Sequence, residues 1–198
     1  MARRRPVDRA LGIETTRKVR APTGPGAGPL ARQARDYEPT PPEILEALLT
    51  EVRLPYEDLS FVDLGAGKGR VLCLAASHPF RAVVGVELFE SLAAVARENL
   101  GRLPSDWVRA QELQCVTGDA GEFPLPAGPK VVFMYNPFGP RVLSRVLAGL
   151  EAERTEAGGP PLYLLYYEPV HAGVMVRPWL GLRREESHWG VWVSPEAP

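Results

Sequence analysis

The stretch Phe61-Val62-Asp63-Leu64-Gly65-Ala66-Gly67-Lys68-Gly69-Arg70 constrains this chain more than any other. A short run of apolar β-formers ends in three glycines at alternate positions, and an apolar helical period, Val71 to Ala76, starts at once. Glycines at such a junction let the backbone turn tightly and approach a ligand closely, while the helix N-terminus offers unpaired N–H groups. The rest of the chain keeps the same rhythm. Ala82 to Val86, Leu113 to Val116, Val131 to Tyr135 and Leu162 to Tyr167 read as further buried strands. Leu88, Leu92, Val95 and Leu100 mark a helix through Glu98, and Val142, Val146, Leu147 and Leu150 mark another. Ile44, Leu45, Leu48, Leu49 and Val52 predict a helix before the first strand, with Thr40 as its cap. The segment from Asp119 to Lys130 is too rich in proline for a full helix and is expected to be a loop or one turn. Glu185 to Val193 reads as one or two last strands. Buried strands separated by helices imply a parallel sheet covered on both faces.

At 198 residues the chain fits one ordinary domain. No apolar run approaches the roughly 20 residues of a membrane-spanning helix. No apolar stretch follows the basic start, so neither a membrane anchor nor a secretory signal is expected. Cys73 and Cys115 form no C-x-x-C pair and suit buried thiols in a reducing cytoplasm. His78, His171 and His188 share no ligand spacing with them, so no metal site is expected. The net charge of −1 hides an asymmetry. Residues 1–35 hold nine Lys/Arg against Asp8 and Glu14, so they carry +7 and the remainder −8. That stretch, rich in Arg, Pro and Gly and without an apolar period, predicts a basic arm or lid over residues 1–35 ahead of a domain at 36–198.

Four polar motifs stand at successive strand ends. The Asp-x-Gly-x-Gly-x-Gly spacing departs from the dinucleotide fingerprint, which needs a small residue where Arg70 stands, and Lys68 is followed by glycine rather than the Ser/Thr of a phosphate loop. Asp63, just before the loop, suits a ligand bearing a positive amino group. Glu87, about 20 residues beyond, can hold both hydroxyls of a ribose. Asp119 can bond the amino group of an adenine. Asn136-Pro137-Phe138 ends the fourth strand at the edge where open α/β sheets bind ligands, offering a carbonyl acceptor and a π face for a cation. Each also has a bland reading as an ordinary turn.

In this order the motifs resemble those of the class I S-adenosylmethionine-dependent methyltransferases, over about residues 36–170. The resemblance implies a three-layer, Rossmann-like methyltransferase sheet, mostly parallel with an antiparallel strand near the C-terminus. It implies that Asp63, Gly65, Gly67 and Gly69 hold the methionine part of the cofactor, Glu87 the ribose, and Asp119 with Ala120 the adenine. Asn136-Pro137-Phe138 is similar to the Asn/Asp-Pro-Pro-Tyr/Phe motif of amino-group methyltransferases, without its second proline, and casts these three residues as catalytic, with Asn136 also touching the cofactor. Residues 11–16 and 37–41 resemble segments before the core of small bacterial relatives of the SET-independent histone lysine methyltransferases. There Tyr37 and Thr40 belong to a lid over the cofactor.

The implied function is methyl transfer from S-adenosyl-L-methionine to an acceptor, most readily an amino nitrogen. The absence of a His/Asp or Cys/His constellation agrees, because an activated donor needs alignment more than acid–base chemistry. An NAD(P)-dependent oxidoreductase shares the sheet and the ribose acid, but Arg70 and the lack of a proton donor after the fourth strand disfavour it. A non-enzymatic cofactor-binding module is the third reading. The acceptor stays open. A protein or small molecule is favoured, and the arginines at 3–5 and 17–20 keep nucleic acid as an alternative.

Overall fold

The computed structural model describes residues 5–21, 28–154 and 158–198. Arg3 and Arg4 of the basic arm therefore lie outside the described residues. Its centre is a seven-stranded sheet built from β1 (Ser60–Leu64), β2 (Ala82–Glu87), β3 (Leu113–Thr117), β4 (Lys130–Tyr135), β5 (Leu162–Tyr167), β6 (Gly181–Glu186) and β7 (Trp189–Val193). The strand order is β3-β2-β1-β4-β5-β7-β6. β1 pairs in parallel with both β2 and β4, β2 with β3, and β4 with β5. β7 runs antiparallel to β5 and to β6. The expected mostly parallel sheet with an antiparallel C-terminal strand is what forms. β6 begins at Gly181, four residues earlier than the sequence pattern suggests, because exposed Leu182 and Arg184 flank a half-buried Arg183 and show no apolar period.

The period of two along the strands sorts side chains to opposite faces. Phe61, Val83, Val131, Phe133, Tyr163 and Leu165 pack beneath α2 (Pro42–Leu49), α3 (Arg70–Ala75) and α4 (Glu90–Gly101). Val62, Leu64, Val86, Val132, Met134 and Leu164 pack against α5 (Pro140–Ala152). α5 starts with Pro140 at its first position and buries Val142, Leu143, Val146, Leu147 and Leu150 on one stripe. The connection from β3 to β4 carries only a turn. Among the described residues no helix is long and apolar enough to cross a membrane. Because β2 and β4 leave β1 on opposite sides, the loops after β1 and β4 diverge at their carboxyl ends and open a crevice there.

The described part of residues 1–35 is packed. α1 (Arg5–Leu11) leads into Leu11 and Ile13, which are buried against Cys73 of α3, and Thr15 is fully buried. Two apolar side chains are too few to register as a period, so the sequence pattern passes them by. The anchor is Arg70, 1% exposed at the start of α3. Its guanidinium donates from Nε to the Thr40 carbonyl (2.8 Å) and from Nη1 to Asp8 Oδ1 (2.8 Å) and Thr15 Oγ1 (2.7 Å). Asp8 also accepts the Thr15 N–H and the Thr15 and Thr16 hydroxyls. Asn99 of α4 accepts the Glu14 N–H and donates to the Glu14 and Lys68 carbonyls. Thr40 is not the cap of α2, whose cap position is Pro41. The Thr40 carbonyl serves Arg70 instead.

Burial would raise the Asp8 pKa, but the bonds from Thr15 and Thr16 and the Arg70 charge outweigh it and hold Asp8 below its ordinary 3.8. Its contribution to stability is therefore complete above that value and is lost as pH falls through the lowered pKa. Asp8→Ala strands a buried guanidinium, a loss of about 3 kcal/mol at neutral pH. Urea unfolding checks this: the gap between wild type and variant should close as pH drops below 3.8.

Candidate active site

The crevice holds a cavity of about 530 Å³, within the range of small-molecule and cofactor sites. Asp63 comes from the end of β1, Gly65 and Gly67 from the loop, Glu87 from the end of β2, and Asp119 and Ala120 from beyond β3. Asn136, Pro137 and Phe138 come from beyond β4, and Tyr37 and Thr40 from the segment before α2. Every residue singled out in the sequence lines this cavity except Gly69.

The three loop glycines are all left-handed, with φ of 84°, 54° and 76°, yet each is required by a different neighbour. A Cβ on Gly65 would lie 2.3 Å from Pro137 Cβ, and one on Gly67 would lie 2.2 Å from the Tyr37 ring. One on Gly69 would meet Ala96 Cβ of α4 at 2.9 Å. The first two glycines bring the post-β4 segment and the lid residue onto the loop. The third lets two helices pack and lies off the cavity. Tyr37 is fixed from both sides: its hydroxyl donates to the Thr15 carbonyl (2.7 Å), and Lys68 Nζ stands 5.7 Å from its ring centre.

Two carboxyl groups set the electrostatics. Asp63 is 3% and Glu87 6% exposed. Burial, followed by the charge of Glu87, pushes the Asp63 pKa well above its ordinary value. Burial also raises Glu87, against the N–H groups of Phe89, Gly67 and Leu88. Glu87 Oε2 accepts the Gly67 N–H (2.8 Å) and Oε1 the Phe89 N–H (2.9 Å). A carboxylate has about four lone-pair sites, so both oxygens keep capacity for further donors. Asp119 lies two residues beyond β3; Oδ1 accepts the Gly121 N–H and Oδ2 pairs with Arg145 of α5 at 2.6 Å. Part of its bonding capacity is therefore structural. Burial pushes both cysteine thiols up to about 12, so neither is a nucleophile at neutral pH. No metal-binding group of His, Cys, Asp and Glu occurs among the described residues.

The structure adds residues that pattern reading missed. The Arg35 N–H donates to the Pro137 carbonyl (3.2 Å), and the Gly139 N–H donates to the Gln33 carbonyl (3.1 Å). With the bridge between Ala34 and Phe138, this lays residues 33–35 along the post-β4 segment. Leu30, Ala34, Arg35, Phe89, Tyr135 and Glu168 line the cavity too. No periodicity marks residues 30–36, because they are held by backbone bonds to a segment a hundred residues away.

The family model described as Histone methylation protein DOT1 matches residues 33–108, under half of the chain. No curated protein matches the chain in sequence. Among solved structures, TrmN from Thermus thermophilus is 22% identical, with a TM-score of 0.56 over 78% of this chain and 48% of its own. A putative methyltransferase, yhhF from Escherichia coli, is 19% identical, with a TM-score of 0.58 over 90% of this chain and 98% of its own. A predicted N6-adenine-specific DNA methylase from Listeria monocytogenes is 12% identical, with a TM-score of 0.58 over 79% and 51%. The fold is that of the class I methyltransferases. The chain spans about half the length of the first and third of these methyltransferase-fold structures.

In this methyltransferase fold the loop geometry can be tested directly. Gly67→Ala combines a disallowed φ with a clash against Tyr37, and strain of about 1–3 kcal/mol is expected. That corresponds to a melting temperature lower by about 2–10 °C for a domain of this size. Gly149→Ala, on the exposed side of α5 with nothing near its Cβ, should leave it unchanged or raise it slightly. Scanning calorimetry of the two variants separates them.

Proposed function

We propose that this protein is an enzyme that transfers a methyl group from S-adenosyl-L-methionine to an amino nitrogen of a protein lysine or a similar amine. The observation that carries this reading is the contact of Pro137 with Gly65, which presses the Asn-Pro-Phe segment against the cofactor loop beside two buried carboxyl groups. The donor set fits the cofactor. Asp63, buried and short of positive partners, would hold its ammonium group. Glu87, with lone pairs to spare, would hold ribose hydroxyls, and Asp119 with Ala120 the adenine edge. S-adenosylmethionine, when bound, supplies a methyl carbon already activated by the sulfonium charge, so displacement needs alignment and a dry site rather than a proton relay.

The chain's own residues then orient the acceptor. An amine attacks through its lone pair, so its hydrogens must be held. The Asn136 side-chain oxygen and the Pro137 carbonyl are the acceptors suited to this, and Asn136 sits at φ 37° at the end of β4. The Tyr166 hydroxyl stands 3.5 Å from Asn136 Oδ1 and steadies that amide. Phe138 offers a ring face for the charge that develops on nitrogen. The lid of residues 33–40 keeps water from this corner. The match of residues 33–108 to the histone-methylation family model supports a protein amine as acceptor, whereas one of the structural relatives is a predicted DNA methylase. The family match includes the lid and loop and therefore weighs more here.

Calorimetric titration should show binding of S-adenosylmethionine and S-adenosylhomocysteine and none of NADH; heat with NADH alone overturns the reading. Because Asp63 is raised in the free protein, a cation beside it favours the carboxylate, so binding releases a proton. Affinity should then fall as pH falls through that raised pKa, and titrations in buffers of different ionisation enthalpy should show the release.

Asn136→Ala should cut turnover by about 10²-fold, on the order of 3 kcal/mol, the usual loss for a positioning hydrogen bond in a dry site. Cofactor affinity should fall far less. Asn136→Asp should keep partial activity, as scored by transfer of labelled methyl to an identified amine. Joint loss of folding and cofactor binding in Asn136→Ala would mean that Asn136 only ends the strand.

A further inference from the structure

Only two non-glycine residues among those described have a left-handed backbone, Asn136 with φ 37° and Glu168 with φ 51°. They are neighbours. β4 and β5 run in parallel with Tyr135 opposite Tyr167, so Asn136 and Glu168 are the next residue on each strand, side by side at the carboxyl edge of the sheet. Both line the cavity. Asn tolerates this conformation because its short amide bonds locally, but a glutamate gains no such relief. A glycine or asparagine at 168 would hold the same turn at lower cost. A costly residue retained at a cavity wall points to a use for its side chain.

The other carboxylates of the cavity are committed elsewhere. Glu38 pairs with Lys18, Asp119 with Arg145, and Asp36 accepts the Ala21 N–H. Glu87 holds the N–H groups of Gly67 and Phe89, and Asp63 lies at the buried floor beside the glycine loop. Glu168 is different. Its Oε1 lies 3.7 Å from His188 Nδ1, and that imidazole is 69% exposed. The turn itself is held by backbone alone: the Glu168 N–H donates to the His188 carbonyl and the Val170 N–H to the Glu168 carbonyl, both at 2.7 Å. Neither of these bonds uses the carboxylate. Arg35 is the cation sharing this cavity whose side chain is not fastened as Arg70 is, and it stands near Tyr166, on the Asn136 side.

We propose that Glu168 is the acceptor-recognition residue: its carboxylate pairs with the ammonium group of the incoming amine, one proton leaves to solvent by way of that half-exposed carboxylate, and the neutral amine passes to Asn136 with its lone pair free. The proposal rests on the reading of the cavity as a methyl-transfer site and extends it to a residue outside the Asn-Pro-Phe segment. A charged bond made at the rim captures the acceptor in its prevalent protonated form, and neutral hydroxyl or nucleobase acceptors gain nothing from it.

The full chain saturated with S-adenosylhomocysteine is titrated with n-butylammonium chloride, and in parallel with n-butanol as the neutral isostere, following amide shifts by NMR. Wild type should bind the ammonium with shifts at 136–138 and 168, and prefer it to butanol by at least tenfold. Glu168→Gln should erase that preference. Glu168→Gly should also erase it while its melting temperature stays level or rises, because the left-handed turn then has its preferred residue. A residue that served only the turn would move stability and leave the preference intact, which overturns the proposal. So does a wild type that binds S-adenosylhomocysteine but shows no preference for the ammonium. If wild type does not bind S-adenosylhomocysteine at all, it is the methyltransferase reading that fails, and the proposal with it.

Discussion

One buried guanidinium organises everything around the cavity. Arg70 is the first residue of α3, so its position is dictated by the glycine loop, and bonds from its guanidinium reach Asp8, Thr15 and Thr40. A charge at this depth is tolerable only when its donors are met, and the partners come from two separate stretches of the N-terminal segment. The result is that the segment cannot sit anywhere else. Once Thr15 and Thr40 are placed, Tyr37 falls over Gly67, and residues 33–35 meet the strand of chain after Pro137. The residue that sets this sequence apart from a dinucleotide site is thus the one that fastens the N-terminal segment.

The loop glycines complete the same arrangement from the other side. Their left-handed backbone is common to many ligand loops, but here the space left by each missing side chain is filled by this protein's own residues. Gly65 admits Pro137, Gly67 admits Tyr37, and Gly69 admits α4. The glycine loop, the segment around Tyr37 and the segment after β4 are therefore in mutual contact within one small volume. Asp63 and Glu87 stand in that volume with raised pKa values, a state that burial imposes and a bound cation would relieve.

The sheet was legible because its signal is periodic. Runs such as Leu162 to Tyr167 are buried on both faces and need no context to be recognised. The strand-end positions of Asp63, Glu87 and Asn136 followed from the same pattern, since a polar residue closing an apolar run marks the edge of the sheet. Glu168 was missed because it follows two tyrosines and looks like an ordinary turn carboxylate; only φ and the register with Asn136 set it apart. The packing of residues 8–16 was hidden for a different reason. Asp8 and Thr15 are held by polar bonds to Arg70, far along the chain, and hydrophobic periodicity is blind to such contacts. Gly69 shows the converse: its place in the motif was plain, but its role in helix packing needed coordinates.

The long separations in these contacts set an order of assembly. Lys68 meets Glu14 across 54 residues, Arg70 meets Asp8 across 62, and Asn99 meets Glu14 across 85. During synthesis the N-terminal segment emerges first, yet its anchors in α3 and α4 do not exist until those helices have folded onto β1 and β2. The segment along the cavity is thus made before its partners and docks only after they have folded.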